Sequence, residues 1–272
     1  MKSLEQFMDE QLIRGRAHFS RQQALDALKI KSEALAAAIT RQIKKRRLAN
    51  PRHGFYLILR PEDQIAGAPD PVQWIDYLMK HQRLEYRLSL LRAAAFHGAS
   101  HQSAMVVQVI APKQLRDVEI GRHRLQFLYQ SQAAFAQVNR PEYLGRIKSD
   151  AGFADIAGVE LTLLDCARYF HKAGGIHTVA QIAKDIGAKA APRTLAKAAA
   201  AYENSSVRRL GYLLDHAGHT RQAKALESFV VRAKSALALD PAVVPLAGAR
   251  FDHRENNKKW QLLINEPVEL DP

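Results

Sequence analysis

The chain has 272 residues, of which 47% are hydrophobic and 25% are charged, and its formal net charge is +13 at pH 7. This composition is typical of a globular protein and excludes a disordered tail protein. A chain of this length can bury enough surface to fold without disulfides or metal, and its single cysteine, Cys166, has no internal partner. We therefore expect a reducing, cytoplasmic setting.

The positive charge is concentrated at the N-terminal end. Residues 1–60 hold 13 Lys or Arg against 5 Asp or Glu, so they account for +8 of the total. No apolar run approaches the roughly 18 residues that a membrane span needs. The first residues interrupt their apolar pattern with Glu5, Asp9 and Glu10, which predicts an amphipathic helix and not a signal peptide. We expect no membrane partner, and nucleic acid is the first partner to consider.

The first 46 residues predict three helices. The first covers residues 4–14. The second begins after Ser20, whose capping box is completed by Gln23. Ser32 is the expected N-cap of the third helix, which runs to about residue 46. Apolar residues recur at every fourth position of this third helix and define its expected buried stripe: Leu35, Ile39 and Ile43.

A turn-rich segment at residues 50–54 and an aromatic strand at 55–59 follow the third helix. Three helices followed by a hairpin are typical of a winged helix-turn-helix. Pro61, Gly67, Pro69 and Pro71 then suggest a boundary. We therefore predict a DNA-binding domain at residues 1–65 and a larger α+β domain at 66–272, giving a mainly helical α+β chain.

The remaining elements are predicted from apolar pattern and turn residues. Asp70 and Pro71 begin a helix as N-cap and first helical residue. Further helices are expected at about 83–96, 159–172, 178–186, 192–203, 206–217 and 220–236, and strands at 105–110, 118–120, 125–129 and 260–264.

The third helix and the hairpin tip hold the predicted DNA-binding residues: Ser32, Ala37, Thr40, Arg41, Lys44, Lys45, Arg46, Arg47, Arg52 and His53. Small side chains such as Ala37 permit close approach to a groove. Arg41 can contact guanine O6 and N7 bidentately, or a phosphate. The four basic residues at 44–47 suit phosphates, and a minor-groove or phosphate contact is expected of Arg52 and His53 at the tip. The alternative is a solvated basic face on a domain that binds protein.

No pattern of a catalytic or metal site emerges. Nucleophile-elbow, phosphate-loop and zinc-protease motifs are all absent from the sequence. The pairs His97 with His101 and His216 with His219 lack nearby ligands, and Cys166 sits among apolar residues. Asp117 and Glu119 fit a solvated hairpin face better than a nuclease site. We therefore expect no enzyme activity, no metal and no cofactor.

Four segments resemble the AbiEi-type antitoxins of bacterial abortive-infection systems, which defend against phage. They are Gly54-Phe55-Tyr56, residues 90–101 (LLRAAAFHGASH), Leu161-Thr162-Leu163-Leu164-Asp165 and residues 208–214 (RRLGYLL). The resemblance implies a type IV toxin–antitoxin system. It implies that the winged domain represses its own operon by binding inverted repeats in operator DNA. It also implies that the C-terminal domain counteracts a nucleotidyltransferase-like toxin without needing a stable complex.

Three functions remain open from the sequence. The first is this antitoxin and autorepressor. The second is a winged-helix transcriptional regulator whose C-terminal domain binds a ligand or a protein. The third is an enzyme, such as a nuclease that the winged domain directs to DNA. A toxin-like neighbouring gene favours the first, and metal-dependent DNA cleavage favours the third.

Overall fold

A computed structural model of the chain describes residues 2–99, 106–233, 235–243 and 256–270. The fold is α+β and mainly helical, as predicted. The residues form two compact units. The first comprises residues 1–87, 105–129 and 146–155, and the second comprises 88–104, 130–145 and 156–272. The predicted boundary after residue 65 therefore lies within the first unit, and the division into domains at residues 1–65 and 66–272 remains a prediction.

The N-terminal part of the first unit combines three helices with a small sheet. The helices are α1 (Leu4–Ile13), α2 (Arg21–Leu28) and α3 (Ser32–Lys44), and the strands are β1 (His18–Ser20), β2 (Leu48–Arg52) and β3 (Phe55–Ile58). The sheet order is β1-β3-β2, with both pairings antiparallel. The three helices and the β2–β3 hairpin match the sequence prediction, whereas β1 was not predicted.

Capping side chains explain where these helices begin. Ser20 accepts a hydrogen bond from the Gln23 amide, and the Gln23 side chain accepts one from the Ser20 amide, so the predicted capping box is confirmed. The prediction that Ser32 caps α3 was wrong. Lys31 occupies the cap position without a side-chain bond, and Ser32 is the first helical residue.

The core of this part lies between the helices and the sheet. The rings of Phe7 and Phe19 meet edge to face, with their centroids 5.3 Å apart. Leu35 and Ile39 are buried as predicted, but Ile43 is 41% exposed. Gln42 is buried in its place, because α3 ends at Lys44 and its last turn faces α1 through Gln42.

The rest of the first unit includes helix α4 and a run of three strands. These elements are α4 (Ile75–His81), β5 (Val106–Ala111), β6 (Val118–Ile120) and β7 (His123–Tyr129). The strand order is β6-β7-β5, and β6 and β7 form the predicted antiparallel hairpin. Its turn residue Gly121 has a positive φ, and a Cβ there would lie 2.0 Å from the carbonyl oxygen of Ala66. Only glycine fits this approach.

Three further strands form the run β4-β9-β8, namely β4 (Arg87–Ser89), β8 (Leu144–Ser149) and β9 (Gly152–Ala157). The single helix predicted at about 83–96 was wrong. Arg83 and Leu90 both adopt positive φ, and β4 lies between them. Strand pairing therefore overrides the helical pattern of this segment, which becomes helical only from Leu90 onward.

Helices dominate the second unit. They are α5 (Leu90–Phe96), α6 (Gln132–Val138), α7 (Val159–Arg168), α8 (Ile176–Ile186), α9 (Pro192–Ala199), α10 (Asn204–His216) and α11 (Thr220–Lys224). Helix α10 is central and packs against α7, α8 and α11. The helix predicted at 220–236 was too long, because a 3-10 helix at Glu227–Arg232 follows α11.

A small sheet of two-residue strands completes the second unit. Its strands are β10 (Leu237–Ala238), β11 (Asn256–Asn257) and β12 (Leu262–Leu263), in the order β10-β12-β11. Helix α6 and strands β8 and β9 were not predicted. None of the helices in the described ranges combines the length and the apolar character that crossing a membrane requires.

Candidate nucleic-acid interface

Helix α3 turns one side to the core and the opposite side to solvent. Leu35 and Ile39 are almost fully buried, so the polar and small residues between them project outward. Eight of the ten predicted DNA-binding residues are exposed and two are half-buried. The exposed residues are Ser32, Ala37, Thr40, Arg41, Lys44, Lys45, Arg46 and His53, and the half-buried residues are Arg47 and Arg52.

Arg41 and Lys44 lie in the last turn of α3, three residues apart on one face. Neither side chain has a hydrogen-bond or ion-pair partner among the residues that the structure describes. The carbonyl end of a helix favours positive charge, so the two cations are stable at this position without a counterion from the protein. They are therefore available to an external anion.

The next two basic residues are paired within the protein. Nζ of Lys45 lies 3.0 Å from Oε1 of Glu5, and Nη2 of Arg47 lies 2.8 Å from Oδ1 of Asp9. A hydrogen bond from the Gln42 side chain, reinforced by Lys45, lowers the pKa of Glu5. The acids of α1 thus neutralise part of the charge that the sequence assigned to phosphate contacts.

Two hydroxyl groups of α3 also have partners. Oγ1 of Thr40 donates to the Ala36 carbonyl oxygen at 3.0 Å. Oγ of Ser32 accepts from Nη2 of Arg21 at 2.6 Å, which brings Arg21 to the start of α3. Arg21 was not among the predicted binding residues, because only the folded chain places α2 and the start of α3 together. Arg46 follows the helix with a positive φ of 54°.

The hairpin between β2 and β3 carries two of the predicted DNA-binding residues, Arg52 and His53. The Arg52 guanidinium donates to the carbonyl oxygen of Arg116 and lies 5.5 Å from the centre of the Phe127 ring. Burial lowers the pKa of Arg52. His53, the next residue, is exposed at the turn. Arg52 therefore fastens the hairpin inside the first unit, and His53 is the accessible residue at its tip.

In the second unit, a buried carboxylate lies in one of the family-like segments. Asp165 of α7 is fully buried and accepts hydrogen bonds from the Ser89 hydroxyl at 2.7 Å and the Tyr202 hydroxyl at 2.6 Å. Thr162, one turn earlier, donates to the Gly158 carbonyl oxygen at 2.8 Å. This buried, hydrogen-bonded segment belongs to the interior of the unit and offers no accessible functional group.

The arginine pair of α10, Arg208 and Arg209, is also buried. Arg209 donates to the carbonyl oxygens of Leu239 at 2.8 Å and Ala167 at 3.3 Å. Arg208 donates to those of Ser235 at 3.0 Å and Gln261 at 3.2 Å. Burial lowers the pKa of both guanidinium groups. They bind the C-terminal segments to α10.

The described residues offer no cluster suited to metal chemistry: within them, no three His, Cys, Asp or Glu side chains come together as ligands. His97, His216 and His219 each bond a backbone carbonyl oxygen, while His101 lies outside the described residues. Burial raises the pKa of the Cys166 thiol. Asp117 accepts from the Phe127 amide and from Arg124, so the hairpin itself explains this acid.

The buried family-like segments fall within a recognised domain. Residues 88–216 match the family of the AbiEi antitoxin C-terminal domain. This match spans just under half of the chain and supports an antitoxin role in a toxin–antitoxin system. It begins beyond the last predicted DNA-binding residue, so the candidate interface lies outside the matched domain.

A solved structure shares the fold. The crystal structure of the RV2827C protein from Mycobacterium tuberculosis is similar with a TM-score of 0.60 and 15% sequence identity. The similarity covers 95% of this chain and 89% of that chain. At this identity the likeness concerns the fold alone. Among curated proteins, none matches this chain.

Proposed function

We propose that the chain is the antitoxin of a type IV abortive-infection system, which counteracts a nucleotidyltransferase-like toxin and represses its own operon. The AbiEi match at residues 88–216 supports the antitoxin part. The observation that carries the DNA-binding part is the exposed end of α3, where Arg41 and Lys44 have no partner among the described residues.

The order of elements supports assigning residues 1–65 to a winged helix-turn-helix. Helices α2 and α3 are separated by a short turn, and the antiparallel β2–β3 hairpin follows α3 directly. In this arrangement the second helix of the pair enters the major groove and the hairpin serves as a wing. Helix α3 is then the recognition helix, and His53 lies at the tip of the wing.

The chemistry of α3 suits both specific and non-specific contacts. The major groove is about 12 Å wide and admits a helix. Exposed Ala37 permits close approach of α3 one turn before Arg41, so the Arg41 guanidinium can reach a base edge. Lys44 lies at the helix end, where its ammonium group can pair with a phosphate. A dimer on inverted repeats would present two such helices to successive major grooves.

Toxin neutralisation is assigned to the second unit. The family-like residues Asp165, Arg208 and Arg209 are buried there and bond to other parts of the same unit. Their role is to maintain the fold, so neutralisation acts through other, exposed residues of that unit. This view is compatible with an antitoxin that works without a stable toxin complex.

The test separates the two activities in the full-length protein. The Arg41→Ala/Lys44→Ala double variant should lose binding to the operator DNA and derepress a reporter placed behind the operon's promoter. It should still restore growth to cells that express the toxin from the adjacent gene. If the unaltered protein neither binds the operator region nor restores growth, the proposed function is wrong.

A further inference from the structure

The β2–β3 hairpin does not stand alone in the first unit. Arg52, the last residue of β2, donates from its guanidinium to the carbonyl oxygen of Arg116, just before β6. Strands β2 and β6 are in contact along this edge. Arg116 and strand β6, far from the hairpin in sequence, therefore lie beside the hairpin in the folded unit.

The residues just before β6 carry a net positive charge once the ion pairs of their acids are taken into account. Asp117 and Glu119 both pair with Arg124, at 3.3 Å and 3.7 Å. Lys113 and Arg116 are exposed, and neither has an ion pair within the part of the chain that the structure describes. Burial lowers the pKa of Arg52, Asp117 raises it, and the positive charge of Arg116 lowers it again. Arg116 thus lies beside the hairpin as an unneutralised cation, and Lys113 lies three residues before it in the chain.

We propose that Arg116 and Lys113 bind DNA phosphates beside the wing, so that the DNA interface extends beyond residues 1–65. This inference rests on the proposed DNA-binding function. The Arg52 guanidinium already donates a hydrogen bond to the Arg116 carbonyl group. The accessible guanidinium at this end of the hairpin therefore belongs to Arg116. A phosphate is the fitting ligand, because exposed cations pair with the DNA backbone regardless of its sequence.

The test measures the affinity of the full-length protein for operator DNA at several salt concentrations. Arg116→Ala should flatten the log-affinity against log-salt slope by about 0.9 and weaken binding about fivefold near 0.15 M salt. Operator and random DNA should be affected equally, because phosphates carry no base identity. The substitution leaves the backbone carbonyl that anchors Arg52. Lys113→Ala/Arg116→Ala should roughly double the change in slope.

Arg122→Ala is the matched control. Arg122 is exposed in the same β6–β7 hairpin, but it lies at the turn, at the opposite end of β6 from Arg116. If Arg122→Ala and Arg116→Ala weaken DNA binding equally, general electrostatic attraction and not a local contact explains the effect of Arg116. That result would overturn the inference. If Arg116→Ala keeps the original slope while Arg41→Ala weakens operator binding, the inference fails and the proposed function stands. Absence of DNA binding by the unaltered protein overturns both.

Discussion

Gly211 of α10 lies so close to the indole of Trp260 that a Cβ on the glycine would be 2.1 Å from Cζ3 of the ring. Trp260 is fully buried, and its Nε1 donates to Oδ2 of Asp215 at 3.1 Å, one turn further along α10. A glycine inside a helix costs about 1 kcal/mol relative to alanine. The close approach of the indole explains why a glycine stands at this position despite that cost.

Gly211→Ala should therefore destabilise the second unit, although alanine favours a helix. Overpacking of a filled core costs about 1–3 kcal/mol, and here the nearest atoms belong to a rigid, hydrogen-bonded ring. Chemical denaturation of the full-length protein measures the change, and Gly211→Leu should be worse. In a Trp260→Ala background the same glycine substitution should cost nothing. An equal loss in both backgrounds would show that the indole is not the cause.

The buried carboxylate of Asp165 gives a second stability prediction. Asp165→Ala should destabilise the protein by about 2–5 kcal/mol, because it leaves the buried hydroxyl groups of Ser89 and Tyr202 without their acceptor. Tyr202→Phe removes only one donor and should cost roughly 1–3 kcal/mol. Equilibrium unfolding provides both values. Near-equal stability of Asp165→Ala and the unaltered protein would contradict the assigned role.

Neighbouring lysines at the end of α3 should respond differently to substitution. Lys44→Ala should reduce the salt slope of DNA binding by about 0.9, because the Lys44 ammonium has no partner in the described structure. Lys45→Ala should reduce it less, since Glu5 already pairs with Lys45. Glu5→Gln should raise the affinity for random DNA by releasing Lys45. Equal slope changes for the two lysines would show that the Glu5 pair does not persist beside DNA.

Arg41 should differ from both lysines in its effect on specificity. Losing a base contact costs about 1–3 kcal/mol on the operator and relaxes discrimination at one base pair. Arg41→Ala should thus weaken operator binding far more than binding to random DNA. Parallel titrations with the two DNA sequences measure the difference. If both affinities fall by the same factor, Arg41 contacts a phosphate.

Protonation of His18 should destabilise the first unit in acid. The His18 ring stacks on Tyr77 with centroids 3.9 Å apart, and burial, helped by the charge of Arg16, lowers its pKa from 6.5 to about 4. The unfolded chain binds the proton more tightly, so this contribution to stability is complete above pH 6.5 and falls away towards pH 4. His18→Phe retains a stacked ring and should show a flatter pH dependence of unfolding over this range. An unchanged pH profile would contradict the assignment.

The elements of the N-terminal fold that depend on residues close together in sequence were predictable. Elements that depend on contacts between distant residues were not. The Ser20 capping box and the β2–β3 hairpin depend on residues close together in sequence, which the sequence shows directly. Strand β1 has three residues and becomes a strand only by pairing with β3. Ile43 fits a helical apolar stripe, yet the position of α1 buries Gln42 instead.

The candidate site shows the same division. Exposure of Arg41 and Lys44 followed from helical periodicity. The pairing of Lys45 and Arg47 with α1 depends on contacts between residues about 40 positions apart, which a charge count does not show. The burial of Arg208 and Arg209 could not be predicted from the sequence, because their acceptors are backbone carbonyl groups, which any residue type supplies.

The two buried arginines of α10 hold the C-terminal segments against that helix through hydrogen bonds to backbone carbonyl groups. Three of their acceptors, the carbonyl oxygens of Ser235, Leu239 and Gln261, lie after α11. Removing these residues would leave the buried Arg208 without its two carbonyl acceptors and Arg209 with only the carbonyl oxygen of Ala167. The loss of a partner of a buried charge is strongly destabilising. A shortened chain lacking them would therefore expose its central helix to aggregation and proteolysis. C-terminal truncation should therefore affect the protein strongly, although the described residues after 233 form only two-residue strands.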